Sequence, residues 1–210
     1  MAQVAGRPFL EHLLGWLAGQ GVCRVILALG YLHQQVQAHF GSHFEGMTLE
    51  YSIEETPAGT GGALSMALSL ACFEEVFLVN GDTFFAVPLS DMIAFHRKNK
   101  ADLTMALKST GDISRYGGVE LRHQVITAFR EKGGRGPGYI NGGLLLLNRS
   151  LAAFLPREIP FSLERDVFPE WLKSKRFYGY PVDGFFIDIG VPQDYSRACR
   201  QLPRIIRPTC

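Results

Sequence analysis

The sequence predicts an α/β fold whose sheet is parallel at first and mixed further along the chain. Across residues 8–98, stretches with apolar residues at helical spacing alternate with short, continuous apolar runs, a pattern typical of parallel strands joined by right-handed crossovers. Beyond residue 101, strand-like runs follow one another with few helices between them. We therefore expect mixed or antiparallel strands in the second half.

Spacing, proline and glycine define the individual elements. The first helical pattern stops at Gly19 and Gly21, and the run at residues 25–29 ends at Gly30 and suits a strand buried on both faces. Pro192 suits the first turn of the last helix. Helices are predicted at residues 8–17, 32–40, 61–72, 89–98, 162–173 and 192–202. Strands are predicted at residues 25–29, 47–53, 76–79, 103–107, 118–121, 125–129, 140–147, 176–180 and 185–189.

Length and composition indicate one globular domain. The 210 residues, 47% hydrophobic and 20% charged, suffice for one sizeable core. The formal net charge of +1 gives no overall field that would attract nucleic acid or an anionic membrane. No signal-peptide core or membrane-spanning apolar run is evident, and four scattered cysteines favour a reducing compartment. We therefore expect a cytoplasmic protein that binds any anionic ligand through local groups.

Two aspartates lie where strand-like runs end. Asp82 follows the apolar run at residues 76–79, and Asp188 lies among apolar neighbours shortly before Gly190. Ligands of open α/β sheets bind beyond the carboxyl ends of the strands. Two carboxylates suit Mg²⁺, which keeps positions for water and substrate phosphates. Each aspartate alone could also be a hydrogen-bonded turn residue; together they are candidate ligands of one Mg²⁺ ion.

Two glycine-rich segments are candidates for close approach to a ligand. The segment at residues 59–63 enters a helix, a geometry that lets backbone amides approach a bound molecule. Asn141, Gly142 and Gly143 interrupt the apolar run at residues 140–147, where glycine often marks a bulge or a ligand. Neither segment is a Walker loop or a complete GxGxxG fingerprint. A generic dinucleotide-binding oxidoreductase is therefore disfavoured.

Seven short motifs carry a family resemblance that covers nearly the whole chain. They are PFLEHLL (residues 8–14), EETPAGTGGAL (54–64), VNGDTFF (79–85), RYGGV (115–119), FREK (129–132), INGG (140–143) and FFIDIGVPQDY (185–195). In this order they resemble the nucleotidylyltransferases that activate sugar 1-phosphates, and most of all the D-glycero-D-manno-heptose 1-phosphate guanylyltransferase branch. The resemblance implies a three-layer, Rossmann-like fold with a mixed central sheet.

The resemblance also implies a role for individual residues. Asp82 and Asp188 would bind the catalytic Mg²⁺, and Lys132 would serve catalysis beside a phosphate. The implied nucleotide-binding residues are Glu54, Gly59, Thr60, Gly61, Gly62, Asn80 and Gly81. The implied sugar-phosphate-binding residues are Tyr116, Gly117, Glu131, Lys132, Asn141 and Gly142. Residues 1–210 would form one domain, with a nucleotide-binding part at about 1–110 and a sugar-phosphate-binding part at about 111–210.

The implied reaction joins a nucleoside monophosphate to a sugar 1-phosphate and releases pyrophosphate. GTP is the expected nucleotide and a heptose or mannose 1-phosphate the expected acceptor, in the synthesis of nucleotide sugars for cell-surface polysaccharide. The expected partners are these two substrates, with neither nucleic acid nor membrane, and a homo-oligomer is compatible with them. Attack in line on the α-phosphorus needs no covalent enzyme intermediate.

The start of the chain departs from the family pattern. Family members open with a strand, a glycine-rich loop carrying an arginine, and a Pro-Lys-Pro that lies just before the residue matching Met1. The loop supplies donors to the triphosphate, and the strand is central to the family's sheet, so the expected fold lacks its first strand. The alternative to an enzyme is therefore a non-catalytic subunit that binds a nucleotide sugar or regulates a complete homologue.

Overall fold

A computed structural model describes residues 1–205 of the chain. Within this range the α-helices are α1 (Phe9–Gly19), α2 (His33–Phe40), α3 (Gly59–Leu70), α4 (Leu89–Lys98), α5 (Phe168–Ser174) and α6 (Pro192–Ile205). The β-strands are β1 (Gln3–Val4), β2 (Arg7–Pro8), β3 (Arg24–Leu29), β4 (His43–Phe44), β5 (Met47–Ile53), β6 (Glu75–Val79), β7 (Thr83–Phe85), β8 (Leu103–Thr110), β9 (Val119–Arg122), β10 (Val125–Phe129), β11 (Gly138–Asn148), β12 (Phe177–Pro181) and β13 (Phe186–Asp188). A 3₁₀ helix spans Arg149–Phe154, and a π-helical turn spans Leu163–Val167.

All predicted helices and strands are confirmed, most of them to within two or three residues. The helix predicted at residues 162–173 begins as the π-helical turn and continues as α5. Four strands were not predicted from the sequence, each only two or three residues long: β1, β2, β4 and β7. Such short strands have too few positions to show a period of two.

The sheet is mixed, as the sequence predicted for its second half. Six strands pair in the order β6-β11-β8-β12-β10-β9, in which β12 and β8 are parallel and the other neighbours antiparallel. A second sheet contains β3 and β5, which are parallel, and β4, which is antiparallel to β5. The parallel pairing predicted for the first half is confirmed for β3 and β5, whereas β6 lies antiparallel to β11, a strand of the second half.

Helices cover both faces of the sheet and make three layers. Alternate residues of β11 point to opposite faces, so Leu145 and Leu147 pack with α3 and α5 while Leu144 and Leu146 pack with α1 and α4. A third cluster joins α1 and α6 to β7 and β13 through Phe84 and other buried residues. The three-layer arrangement expected from the sequence is thus confirmed.

Strands β3 and β6, which belong to different sheets, have only one ladder partner each within residues 1–205. Strand β3 pairs with β5 alone, and β6 pairs with β11 alone. Their side chains are correspondingly less buried: Ala28 is exposed and Phe77 half-buried, whereas Leu144–Leu147 of β11 are at most 3% exposed. Each of these strands therefore leaves one edge without a ladder partner in the described part of the chain.

Candidate active site

Asp82 and Asp188 lie beside each other on neighbouring backbone segments. Strands β7 and β13 pair antiparallel with Asp188 opposite Thr83, and the Ile189 amide donates to the Asp82 carbonyl at 3.0 Å. The Thr83 hydroxyl also donates to the Asp82 carboxylate at 3.1 Å. The short ladder therefore brings the two predicted aspartates to one end of the β7–β13 pair. Sequence spacing alone could not place them together, because 105 residues separate them.

Both oxygens of the Asp188 carboxylate have donors within the protein. The Gly190 amide donates to Oδ1 at 2.7 Å, and Arg115 Nη2 donates to Oδ2 at 3.0 Å. The other terminal nitrogen of Arg115 pairs with Asp194. Burial works against the Arg115 charge, but the hydrogen bond to Asp194 and the neighbouring carboxylates more than offset it, so its pKa is raised. Asp188 thus occupies a position where a cation is accommodated.

Arg115 and Asp194 are functional candidates that the sequence analysis did not single out. Both lie inside quoted motifs, RYGGV and FFIDIGVPQDY, which was the only signal available for them. Arg115 comes just before Tyr116, and its guanidinium carbon lies 4.7 Å from the centre of the Tyr116 ring. The Tyr116 ring in turn packs edge-on against Phe186 of β13, with centroids 5.8 Å apart. Two residues of the RYGGV segment therefore contact the region of Asp188.

The RYGGV and FREK segments are joined by backbone hydrogen bonds. The Arg130 amide donates to the Gly118 carbonyl at 2.8 Å, and the Gly118 amide donates back at 3.2 Å. Gly117 has φ +78°, and a Cβ there would lie 2.6 Å from the Arg130 carbonyl oxygen, so only glycine fits. Glu131 and Lys132 follow with exposed side chains. These contacts bring the predicted sugar-phosphate residues of the two motifs together.

The Asn141–Gly143 segment adjoins the strand that leads to Asp82. The register of β11 against β8 shifts between Asn141 and Leu145, which confirms the predicted bulge. The Gly143 carbonyl accepts from the Asn80 amide at 2.8 Å, and the Gly143 amide donates to the Asn141 side chain at 2.9 Å. Gly142 packs against Phe85, with no room for a side chain. Asn80 and Asn141, predicted for different substrates, thus lie on two segments that are hydrogen-bonded to each other.

The glycine-rich turn at the start of α3 has a different physical explanation from the predicted one. A Cβ at Gly61 would lie 2.2 Å from the Phe161 ring, and one at Gly59 would lie 2.4 Å from the Phe161 carbonyl oxygen. The Gly61 amide donates to that carbonyl at 3.0 Å. The Gly61 amide therefore has a partner within the chain, and glycine at this position is required by packing on Phe161. The role of the turn in nucleotide binding stays a prediction.

Thr60 and Glu54 also have partners within the protein. The Thr60 hydroxyl donates to Glu164 at 3.1 Å and accepts from the Leu163 amide at 2.9 Å. The Glu54 carboxylate accepts from the Ala58 amide at 2.8 Å. These contacts fix the turn after β5 against the π-helical segment. Gly81 is exposed beside Asp82.

The site fits Mg²⁺ better than a metal that needs a full set of protein ligands. Within residues 1–205, no three His, Cys, Asp or Glu side chains are placed to hold one metal ion. Mg²⁺ is commonly held by one or two carboxylates, with water and substrate phosphates completing its coordination. Asp82 is exposed and Asp188 is 20% exposed, so both can be reached by a substrate. The donor set is therefore compatible with Mg²⁺ carried by a nucleotide.

Residues 1–204 match the family model described as nucleotidyl transferase. The chain therefore belongs to the nucleotidyl transferase family, and the resemblance found in its motifs is confirmed. The α/β nucleotidyltransferase fold and the membership of this enzyme class are confirmed with it.

Two relatives with the same name are similar to this chain over most of its length. The chain is 40% identical over 206 residues to the D-glycero-alpha-D-manno-heptose 1-phosphate guanylyltransferase of Aneurinibacillus thermoaerophilus, covering 98% of this chain and 90% of the relative. It is 37% identical over 196 residues to the Campylobacter jejuni enzyme of the same name, covering 93% and 86%.

A solved structure agrees with these relatives. The crystal structure of HddC from Yersinia pseudotuberculosis has a TM-score of 0.88 and 30% identity, and the match covers 96% of this chain and 88% of that one. A second structure of HddC, complexed with GMP-PN, has a TM-score of 0.87. Among residues 1–205, none of the helices is both long and apolar enough to cross a membrane.

Proposed function

We propose that this protein transfers GMP from GTP to a sugar 1-phosphate of the heptose or mannose type, with Mg²⁺ bound by Asp82 and Asp188. The observation that carries the proposal is the β7–β13 pairing, in which Asp188 lies opposite Thr83 and the Ile189 amide donates to the Asp82 carbonyl. An unpaired carboxylate in a partly buried position needs a cation or donors. Asp188 already accepts a guanidinium there.

The reaction is an in-line displacement at the α-phosphorus of GTP. A phosphate oxygen of the sugar 1-phosphate forms the new P–O bond, the bond between the α-phosphorus and the α–β bridging oxygen breaks, and pyrophosphate leaves. When bound, Mg²⁺ supplies positive charge that offsets the charge developing on the phosphates. The protein's main contribution is to position the two substrates, because little covalent chemistry is needed from its side chains.

The two substrates contact different segments of the chain. Lys132 follows the RYGGV–FREK junction and supplies a flexible positive charge to the sugar phosphate, and Glu131 and Asn141 accept or donate hydrogen bonds to sugar hydroxyls. The nucleotide lies along the turn at Glu54–Gly62 and the Asn80–Gly81 segment. In this arrangement the nucleobase contacts the surface of a turn whose shape is fixed by packing on Phe161.

The relatives favour GTP and a heptose 1-phosphate. The two similar sequences are named as heptose 1-phosphate guanylyltransferases, and the similar solved structure was obtained with GMP-PN. We further propose that the protein acts in the cytoplasm and makes a nucleotide sugar for cell-surface polysaccharide. A non-catalytic nucleotide-sugar-binding or regulatory subunit is the alternative, and no contact in the described chain favours it.

The proposal is tested by incubating the 210-residue protein with MgCl₂, one nucleoside triphosphate and one sugar 1-phosphate. Pyrophosphate release and the mass of the nucleotide sugar are measured for GTP, ATP, UTP and dTTP with heptose 1-phosphate and mannose 1-phosphate. GTP with the heptose phosphate is expected to give the highest kcat/KM. Binding of GDP-sugar with no turnover of any pair would contradict catalysis and favour the binding subunit.

Metal dependence is tested with matched carboxylate variants. Asp82→Asn and Asp188→Asn are each expected to lower kcat by about 100-fold or more, since a charged metal ligand is lost. Asp91→Asn, on the exposed surface of α4, controls for the loss of one negative charge. Unchanged kcat in both site variants would rule out the proposed metal ligands.

A further inference from the structure

One guanidinium bridges two carboxylates at the proposed metal site. Arg115 donates from Nη2 to Asp188 at 3.0 Å and pairs through Nη1 with Asp194. The side chains of Asp188 and Asp194 are 20% and 16% exposed, and that of Arg115 is 33% exposed. A planar guanidinium is suited to such a bridge because its nitrogens have a fixed fork geometry.

The two carboxylates bridged by Arg115 differ in how many cationic partners they have. Asp194 has a second cation, since Arg197 Nη1 lies 3.4 Å from its Oδ1. Asp188 has only Arg115 as a cationic partner among the ion pairs of residues 1–205, together with the Gly190 amide at 2.7 Å. Removing Arg115 would leave Asp194 paired and Asp188 without a cation. Of the two carboxylates, Asp188 is therefore the one whose charge is available to another cation.

A divalent ion at Asp188 and the guanidinium at its Oδ2 repel each other. A carboxylate has room for more than two contacts, so the geometry does not forbid both, but two cations a few ångströms apart interact unfavourably in a partly buried site. The repulsion falls if the Arg115–Asp188 contact breaks while the Arg115–Asp194 ion pair persists. Asp194 therefore keeps Arg115 paired after it leaves Asp188.

We propose that Arg115 is a positioning residue, an inference that rests on the proposed function. It pairs with both Asp188 and Asp194 in the metal-free protein, and it keeps only the ion pair with Asp194 when the metal ion binds. In the metal-free protein Arg115 thus takes the place of the metal ion, since it pairs with the Asp188 carboxylate and holds its orientation until the nucleotide brings the metal. Because the Arg115–Asp188 contact must break before the metal ion binds, the affinity for the ion is lower than it would be without Arg115. Removing the competitor therefore strengthens metal binding, whereas structural damage to the site would weaken it.

The test measures the affinity for Mn²⁺ alone, from the electron paramagnetic resonance signal of the free ion. Arg115→Ala is expected to bind Mn²⁺ about tenfold more tightly than the natural protein, a change of about 1.4 kcal/mol. Arg97→Ala, which removes an arginine from the distant ion pair with Glu75, controls for net charge and is expected to leave the affinity unchanged. Equal or weaker Mn²⁺ binding by a folded Arg115→Ala variant would overturn the proposal.

Arg115→Lys provides a second variant, in case the alanine variant does not fold. A lysine ammonium is a compact point charge that cannot bridge both carboxylates as a guanidinium does, so Mn²⁺ affinity is expected to lie between those of the natural protein and Arg115→Ala. An affinity no higher than that of the natural protein would overturn the proposal. Asp188→Asn separates the two proposals: if it leaves Mn²⁺ binding intact, the metal site itself is wrong. If it abolishes binding while both Arg115 variants change nothing, only the exchange is wrong.

Discussion

Replacing Gly61 by alanine tests whether the glycine-rich turn is required for packing or for ligand approach. Gly61 lies in the first turn of α3 and is buried. The new Cβ would lie 2.2 Å from one ring carbon of Phe161 and 2.3 Å from another. Relative to an ordinary carbon contact of about 3.5 Å, the ring would have to move by about 1.3 Å. Phe161 is 5% exposed and its carbonyl accepts from Gly61, so the ring has little freedom to do so.

Two opposing effects set the size of the change. Alanine gains at most roughly 1 kcal/mol over glycine, the value for a helix interior. Overpacking in a filled site costs roughly 1–3 kcal/mol. The new Cβ overlaps strongly with the Phe161 ring, and the Phe161 backbone is held by its hydrogen bond to the Gly61 amide. We therefore expect the free energy of unfolding to fall by about 1–2 kcal/mol. For a domain of this size that lowers Tm by roughly 2–8 °C.

Thermal unfolding followed by circular dichroism measures this change directly. Gly19→Ala is the matched control, since Gly19 is exposed near the end of α1 and its Cβ would meet no atom within 4 Å. We expect Gly19→Ala to leave Tm unchanged or slightly raised, and Gly61→Ala to leave the GTP KM nearly unchanged. An unaltered Tm together with a large rise in the GTP KM would refute the packing explanation and restore the ligand-approach one.

Two further predictions concern the sugar side and the open strand edge. Lys132→Ala is expected to raise KM for the sugar 1-phosphate more than KM for GTP, because its charge serves one substrate. Lys173→Ala, at an exposed position of α5, is the control, and equal effects on both KM values would count against the division. The Thr48 amide donates to the Cys23 carbonyl and the Glu54 amide to the Leu29 carbonyl, so the backbone amides and carbonyls of odd-numbered β3 residues point toward β5. Hydrogen exchange should therefore be fast at the Ile26 and Ala28 amides and slow at Leu27, and equal protection of all three would contradict the open edge.

Much of the fold could be predicted from local patterns. The run at residues 25–29 and the helix at residues 89–98 were predicted to within one residue, since continuous apolar runs and helical periodicity are local signals. The position of β11 between β6 and β8 could not be predicted, because strand order depends on pairing between segments far apart in sequence. The two-residue strands were too short to give a pattern.

The candidate site was only partly predictable for a related reason. Asp82 and Asp188 stood out because each lies near the end of a strand-like apolar run, where ligands of open α/β sheets bind. Arg115 did not stand out, because a half-exposed arginine in a polar loop looks like a surface residue until its partners across the fold are known. Gly61 was correctly noticed, yet its partner Phe161 is 100 residues away, so the sequence could not separate packing from ligand binding.

A crystal structure of the protein grown with Mn²⁺ and GTP shows directly whether Asp82 and Asp188 together hold one metal ion. Data collected near the manganese absorption edge locate the ion by its anomalous signal. We expect one anomalous peak, with a carboxylate oxygen of Asp82 and one of Asp188 both within about 2.5 Å of it. Carboxylates on opposite faces of the β7–β13 pair, or a peak contacting neither aspartate, would contradict it.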